Sequence, residues 1–338
     1  MSESKDFFDF SIFQEEVFPD WKAQFKSGEG IGEFSYEKGG PTSLYGTTDM
    51  LISQYIIGDL DNLQQPEKNH WAAIINQFQD PKTRKFKKTY THHYWEHTTA
   101  YATCALQLID KKPKSPMAWA DSIIMDKKHM RKWTKGSKRA EWSVIWPGSH
   151  VWSGIPAILA MTGEGTDKFF NWYFDWFDKH VDKKTGFWRR GWLHKLGKKP
   201  HPHDMFGAFH MYYIYEYFNK KWPYPEKIVD WTLKFQHDNG LWGPGTIYCR
   251  DLDGIYCLTR SSRNAEGYRR IEVKEAIISA LATAEKQLND RDWVFARYPN
   301  SHKLTGALSA IAECQKFYPD LVKTTKPWNQ SIDKACYI

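Results

Sequence analysis

Apolar and polar positions along the 338 residues fall into two alternating helical patterns. One pattern is apolar on most faces, as expected of a helix covered on all sides. It occupies Ser43–Ile57, His93–Ile109, Ser149–Met161, His203–Phe218, Asp251–Leu258 and His302–Phe317. The other is amphipathic and occupies Phe10–Phe25, Pro66–Phe78, Pro116–Lys127, Thr166–His180, Pro225–Phe235 and Ile271–Leu288. Several amphipathic stretches open on proline or a capping residue, at Pro66, Ser115-Pro116, Thr166-Asp167 and Pro225, which are helix start signals. The alternation predicts six inner and six outer helices in an all-α fold.

A phrase recurs at a spacing of about fifty residues, the length of a helical hairpin. It consists of a helix end, polar turn residues and a closing aromatic. It reads Gln77-Phe78-Gln79-Asp80-Pro81 to Phe86, then Asp182 to Gly186-Phe187-Trp188, then Gln236-His237-Asp238-Asn239-Gly240-Leu241-Trp242. The first copy runs from Gln24-Phe25 to Phe34, a fainter one from Leu288-Asn289-Asp290 to Phe295, and a degenerate one is expected near Trp133 to Trp142. Six such units predict a single-domain (α/α)6 toroid spanning residues 1–338. Inner-to-outer connections are short, as in Lys221-Trp-Pro-Tyr224, whereas outer-to-inner connections are long and rich in Gly, His and Trp. In a toroid the inner helices run parallel, so the long loops gather over their N-termini. Function concentrates on such loops, and helix N-termini favour anionic groups.

Composition narrows this picture. The chain has 17 Trp, 18 Tyr and 20 Phe, more than a core alone needs, and ring faces suit sugar stacking or cation stabilisation. The net charge of +7 is spread over clusters at Lys82 to Lys88, Lys111 to Lys114, Lys127 to Arg139 and Lys195 to Lys199. These suit a solvated surface or attraction of an anionic substrate. No nucleic-acid-binding motif is present, and no apolar run reaches the ~18 residues of a membrane helix. Five cysteines without CxxC spacing argue against a disulfide framework. Met1-Ser-Glu-Ser-Lys-Asp lacks the features of a secretory signal, so a cytoplasmic setting is expected.

The Q-D-x-x-G-[FW] phrase between outer and inner helices resembles two superfamilies. One is the six-hairpin glycosidases with the related polysaccharide lyases and sugar epimerases. The other is the terpenoid-cyclase and protein-prenyltransferase toroids. The resemblance is architectural and covers most of the chain. It implies an enzyme with its cavity at the inner-helix N-termini, and fold alone does not choose the reaction.

Polar groups mark each inner-helix start. The candidate catalytic residues are Asp49, Asp253, Asp204, His97, His150 and Tyr45. Opposed carboxylates suit glycosidic acid and base roles, with Asp49 and Asp253 as the pair. In a lyase or epimerase acting on a uronate, His97, His150 or Tyr45 would move protons. Candidate substrate-binding residues are His93, Trp95, Trp146, Trp152, His203, Asp251, Tyr256 and Arg260, with Trp192 as a further wall residue. Arg260 would hold a substrate carboxylate or pair with Asp253. Asp49, Asp204 and Asp251 also read as plain N-caps, and His93 and His210 as buried structural histidines. His93 and His97 share a helical face and with His150 or His203 could bind a metal, but H-x3-H alone is a weak signal and no metal or cofactor is expected. The leading expectation is a glycoside hydrolase, lyase or epimerase acting on a small or anionic glycan. The alternative is isoprenoid chemistry at Asp251-Leu252-Asp253, although a DxDD element would need aspartate where Gly254 stands.

Overall fold

A computed structural model describes residues 7–86, 93–135, 140–190 and 199–338. Trp192 and parts of three basic clusters lie outside the described residues. The chain is predominantly helical. A π-helical turn, Phe13–Val17, runs into α1 (Phe18–Ala23), and then come α2 (Leu44–Ile56), α3 (Gln65–Asn76), α4 (Trp95–Leu108), α5 (Asp121–Ile124) and α6 (Lys127–Thr134). Two single-turn helices, α7 (Ala140–Ser143) and α8 (Ile145–Gly148), precede α9 (His150–Thr162) and α10 (Asp167–His180). The second half holds α11 (Pro202–Tyr217), α12 (Pro225–Phe235), α13 (Cys249–Asn264), α14 (Arg270–Leu288), α15 (Arg291–Arg297), α16 (Ser301–Phe317) and α17 (Ser331–Lys334).

The helices expected to be inner are α2, α4, α9, α11, α13 and α16. Along α2 every residue except Tyr55 is buried, which removes the polar stripe that an outer helix such as α10 keeps. Helix α2 packs on α4, α4 on α9, α9 on α11, α11 on α13, α13 on α16, and α16 on α2, so the series of neighbours closes on itself. Ser53 Oγ and Thr305 Oγ1, 3.0 Å apart, join the first and last of these helices. Caps set several starts: Ser43 accepts from Gly46 N, Thr166 from Phe169 N and Asn300 from Lys303 N.

Two boundaries differ from expectation. The helix expected over Pro116–Lys127 breaks at Asp126, whose carboxylate accepts from Lys128 N and His129 N and starts α6 afresh. Helix α13 continues past Leu258 through a polar run. Thr259 donates back to Ile255 O and Ser261 to Cys257 O, so its hydroxyls are satisfied within the buried helix.

The recurring phrase has a shared bond. Trp188 Nε1 donates to Phe177 O, and Trp242 Nε1 to Thr232 O, each in the last turns of the preceding helix. Trp142 Nε1 donates to Thr134 O in the same way, so the degenerate copy is this indole. Gly186 and Gly240 take left-handed φ values of 77° and 80° within the turns, where glycine costs least.

After α16 the chain pairs Val322–Lys323 in parallel with Phe8–Asp9. Helix α17 then packs on α2, α4 and α11. Lys334 Nζ donates to Leu108 O at the C-terminal end of α4, and Cys336 and Tyr337 are fully buried. The tail thus enters among the inner helices from the end opposite their N-termini. Among the described residues no helix is long and apolar enough to cross a membrane.

Candidate functional site

A cavity of about 350 Å³ lies among the inner helices, toward their N-terminal ends. Helix α4 and the residues before it supply His93, His97 and Tyr101, and α8 and α9 supply Trp146, Pro147 and His150. Helix α11 adds Phe209 and His210. The start of α13 adds Tyr248, Cys249, Leu252 and Asp253, and α16 adds His302, Lys303, Thr305 and Gly306. Ile338 closes the wall from the tail.

Five histidine rings form one connected cluster. His93 and His97 centroids are 3.9 Å apart, His97 and His150 4.5 Å, His150 and His210 4.6 Å, and His93 and His302 5.2 Å. One ring nitrogen from each of His93, His97 and His302 lies within 4.8 Å of the other two. Burial, then repulsion from the neighbouring rings, pushes His97 and His150 well below the usual histidine range, and burial brings His210 down to about 3. These three rings are therefore neutral at physiological pH.

The groups behind the cluster orient it. Asp49 accepts from Tyr101 Oη at 2.8 Å and Ser301 Oγ at 2.5 Å, and from His302 Nδ1 at 2.9 Å. That last bond requires a proton on His302 Nδ1, so in the neutral tautomer Nε2 is the acceptor. Tyr45 Oη sits 2.9 Å from His97 Nδ1 and 3.3 Å from His93 Nδ1. A phenol has one proton to give, so at least one of these rings carries its own proton on Nδ1. Ser149 Oγ donates to Trp146 O, so His210 Nδ1, 2.6 Å away, must be the donor to Ser149. His150 differs: its Nδ1 is buried and has no hydrogen-bond partner among the described residues.

Asp253 faces the same cavity. Burial, then the neighbouring Asp251 carboxylate, pushes its pKa well above the usual carboxylate range, and the Trp146 indole and Arg250 oppose this only in part. Its Oδ2 has no hydrogen-bond partner among the described residues. The Arg250 guanidinium lies 4.8 Å from the Trp146 ring centroid and 5.4 Å from that of Tyr248, and its Nε is buried without a hydrogen-bond partner among the described residues.

The structure thus brings together His93, His97, His150, Asp253 and Trp146 on the wall, with Tyr45 and Asp49 directly behind. Other sequence candidates lie elsewhere. Asp251 accepts from Trp242 N, Gly243 N and Tyr248 N, which is capping work. Asp204 accepts from His201 N and pairs with Arg189. His203 stands behind Trp146, its ring centroid 5.4 Å away. Trp95 packs on Trp119 beneath Lys85, and Trp152 stacks on Trp142 at 3.7 Å. Tyr256 is fully buried beside Phe209 and Arg260. Arg260 is bound into Glu313, Glu216 and Asp333, and it makes no ion pair with Asp253.

Tyr101, Phe209, Tyr248, Cys249, Lys303 and Ile338 were not expected on the wall; His210 was read as a buried structural histidine, and His302 marked only a helix start. Tyr101 follows His97 by four residues, and Thr305 follows His302 by three, so helical spacing carried both signals. Nothing in the sequence signalled Ile338, which arrives through the fold of the tail. No protein family, curated protein or solved structure matched this chain.

Proposed function

We propose that this chain is an α/α toroid enzyme that moves a proton on an anionic glycan, as a lyase or epimerase acting beside a uronate carboxylate. The closing series of inner-helix neighbours supports the toroid. The reaction rests chiefly on one juxtaposition: a neutral imidazole with an unengaged nitrogen, His150, shares a cavity with a protonated carboxyl, Asp253. The two environments push base and acid apart, which is how acid and base roles are divided. Lys303 on the wall and Arg250 beside it have no ion-pair partner among the described residues. They are free to neutralise a carboxylate, the role that Arg260 is too engaged to fill.

In this scheme His150 removes the proton from the carbon next to the carboxylate. In elimination the electron pair forms the new C=C bond and expels the glycosidic oxygen, which Asp253 protonates. In epimerisation Asp253 instead gives its proton to that carbon from the opposite face. The indole of Trp146 offers a stacking surface. A hydrolytic scheme using Asp49 and Asp253 has less support, because Asp49 already takes three hydrogen bonds. The isoprenoid reading loses Asp251 to capping, and a Cβ at Gly254 would meet the Trp242 ring at 2.3 Å, leaving no room for a further aspartate.

The test is incubation with short uronic oligosaccharides in D2O, following deuterium uptake at the acidic carbon by NMR and unsaturated product by ultraviolet absorbance. Uptake that disappears in His150→Gln and Asp253→Asn supports the reading. Absence of uptake and product across the panel, or hydrolysis of neutral glycans instead, overturns it.

A further inference from the structure

Three features of the cluster of His93, His97 and His302 distinguish it from ordinary histidine packing. First, the rings come from two separate segments, the start of α4 and the start of α16, yet present nitrogens within 4.8 Å of one another. Second, their Nδ1 atoms are held from behind: His302 by Asp49, and His97 and His93 beside Tyr45. Third, the Nε2 atoms of His97 and His302 make no hydrogen bond among the described residues, and both rings line the cavity. Where ring nitrogens this close carry lone pairs, a proton or a cation between them relieves their repulsion.

We infer that His93, His97 and His302 form a binding site for one zinc-class divalent transition metal ion, with Asp49 as the carboxylate that orients His302. Imidazole is a good ligand for zinc, cobalt, nickel and iron. Three protein nitrogens with a remaining position toward a cavity is the donor set of catalytic zinc sites. Ligand distances of about 2.0–2.1 Å require the rings to close on the ion by small rotations. The carboxylate–histidine contact is the outer support that such ligands have. Tyr101 and Ser301 hold that carboxylate in turn. The fourth position would face the cavity, where water or a ligand oxygen could take it. The site goes beyond the glycan reading and does not depend on it: an ion bound here would be present whatever the substrate.

The test uses the full chain without any histidine tag, stripped by chelator and titrated with Zn²⁺ by calorimetry and with Co²⁺ by absorption. One ion per chain is expected. Binding should be lost in His97→Ala/His302→Ala, weakened about 10–100-fold in Asp49→Asn, and kept in His210→Ala. Because a histidine variant can fail to fold, proton NMR of the wild-type Co²⁺ protein gives a second reading. Three paramagnetically shifted imidazole N–H signals are expected. Failure of folded wild-type protein to take up an ion, equal affinity in the double variant, or fewer than three shifted imidazoles would each overturn the site. Metal binding without proton exchange on uronates would leave this inference standing and remove the glycan one.

Discussion

Arg260 provides a test that separates structure from catalysis. Its guanidinium is 3% exposed and Glu313 is fully buried. The pair is bidentate, with Nε–Oε1 at 2.6 Å and Nη2–Oε2 at 2.9 Å. Asp333 and Glu216 add contacts at 3.0 and 3.3 Å, and Gln330 donates to the same Glu313. Arg260→Met keeps much of the aliphatic volume and strands a buried carboxylate. Breaking one side of such a pair costs about 3–5 kcal/mol. With an unfolding entropy of ~2.1 cal/mol/K per residue, each kcal/mol in a chain this long is about 1.4 °C, so the midpoint should fall by about 4–7 °C. The assay is thermal unfolding followed by circular dichroism, alongside Arg260→Met/Glu313→Leu. The double variant removes both charges and should recover most of the loss. A fall of under about 1 °C in the single variant would refute the ion-pair reasoning, as would a double variant no better than the single one.

Other outcomes follow from the same geometry. His210 has its pKa depressed from 6.5 to about 3 by burial, so the unfolded chain binds its proton more readily. Its contribution is fully present above pH 6.5 and is lost as the pH falls toward 3. At pH 5 the loss amounts to about 2 kcal/mol, so His210→Gln should lose less stability than wild type between pH 7.5 and pH 5 in urea titrations. Equal losses would contradict a neutral buried ring. Gly254→Ala places a Cβ 2.3 Å from the Trp242 ring and should cost about 1–3 kcal/mol by overpacking despite better helix propensity; a neutral or raised midpoint would count against the packing. Asp253→Asn replaces an already neutral carboxyl, so it should abolish proton exchange on a uronate while shifting the unfolding midpoint little; a large loss of stability would mean that Asp253 is chiefly structural.

Much of the helical layout was legible because covered and half-covered helices leave different apolar patterns. Boundaries failed where side chains override the pattern. Asp126 restarts a helix inside an amphipathic stretch, and Thr259 and Ser261 hide their hydroxyls along α13. The end of the fold at which the cavity lies was legible from His, Asp and Trp at the inner-helix starts. Which of them face the cavity was not, because a capping aspartate and a cavity-lining aspartate look alike at a helix start in sequence. Asp251 and Asp253 differ only in whether three backbone N–H groups point at them. Arg260 lies two turns beyond Asp253, and the sequence offered no view of Glu313 and Asp333 drawing it toward the opposite end. The union of His302 with His93 and His97 joins residues about two hundred positions apart, beyond any local spacing rule.

The bond between Ser53 and Thr305 spans 252 residues, and it bears on how the chain is made. During synthesis at about 5–20 residues per second, α2 emerges roughly 13–50 s before the helix that covers its second flank. For that interval the nascent protein is an open arc whose first inner helix still exposes apolar surface. Holding that flank against aggregation falls to the solubility of the arc or to a chaperone, and the histidine cluster cannot assemble before the arc closes.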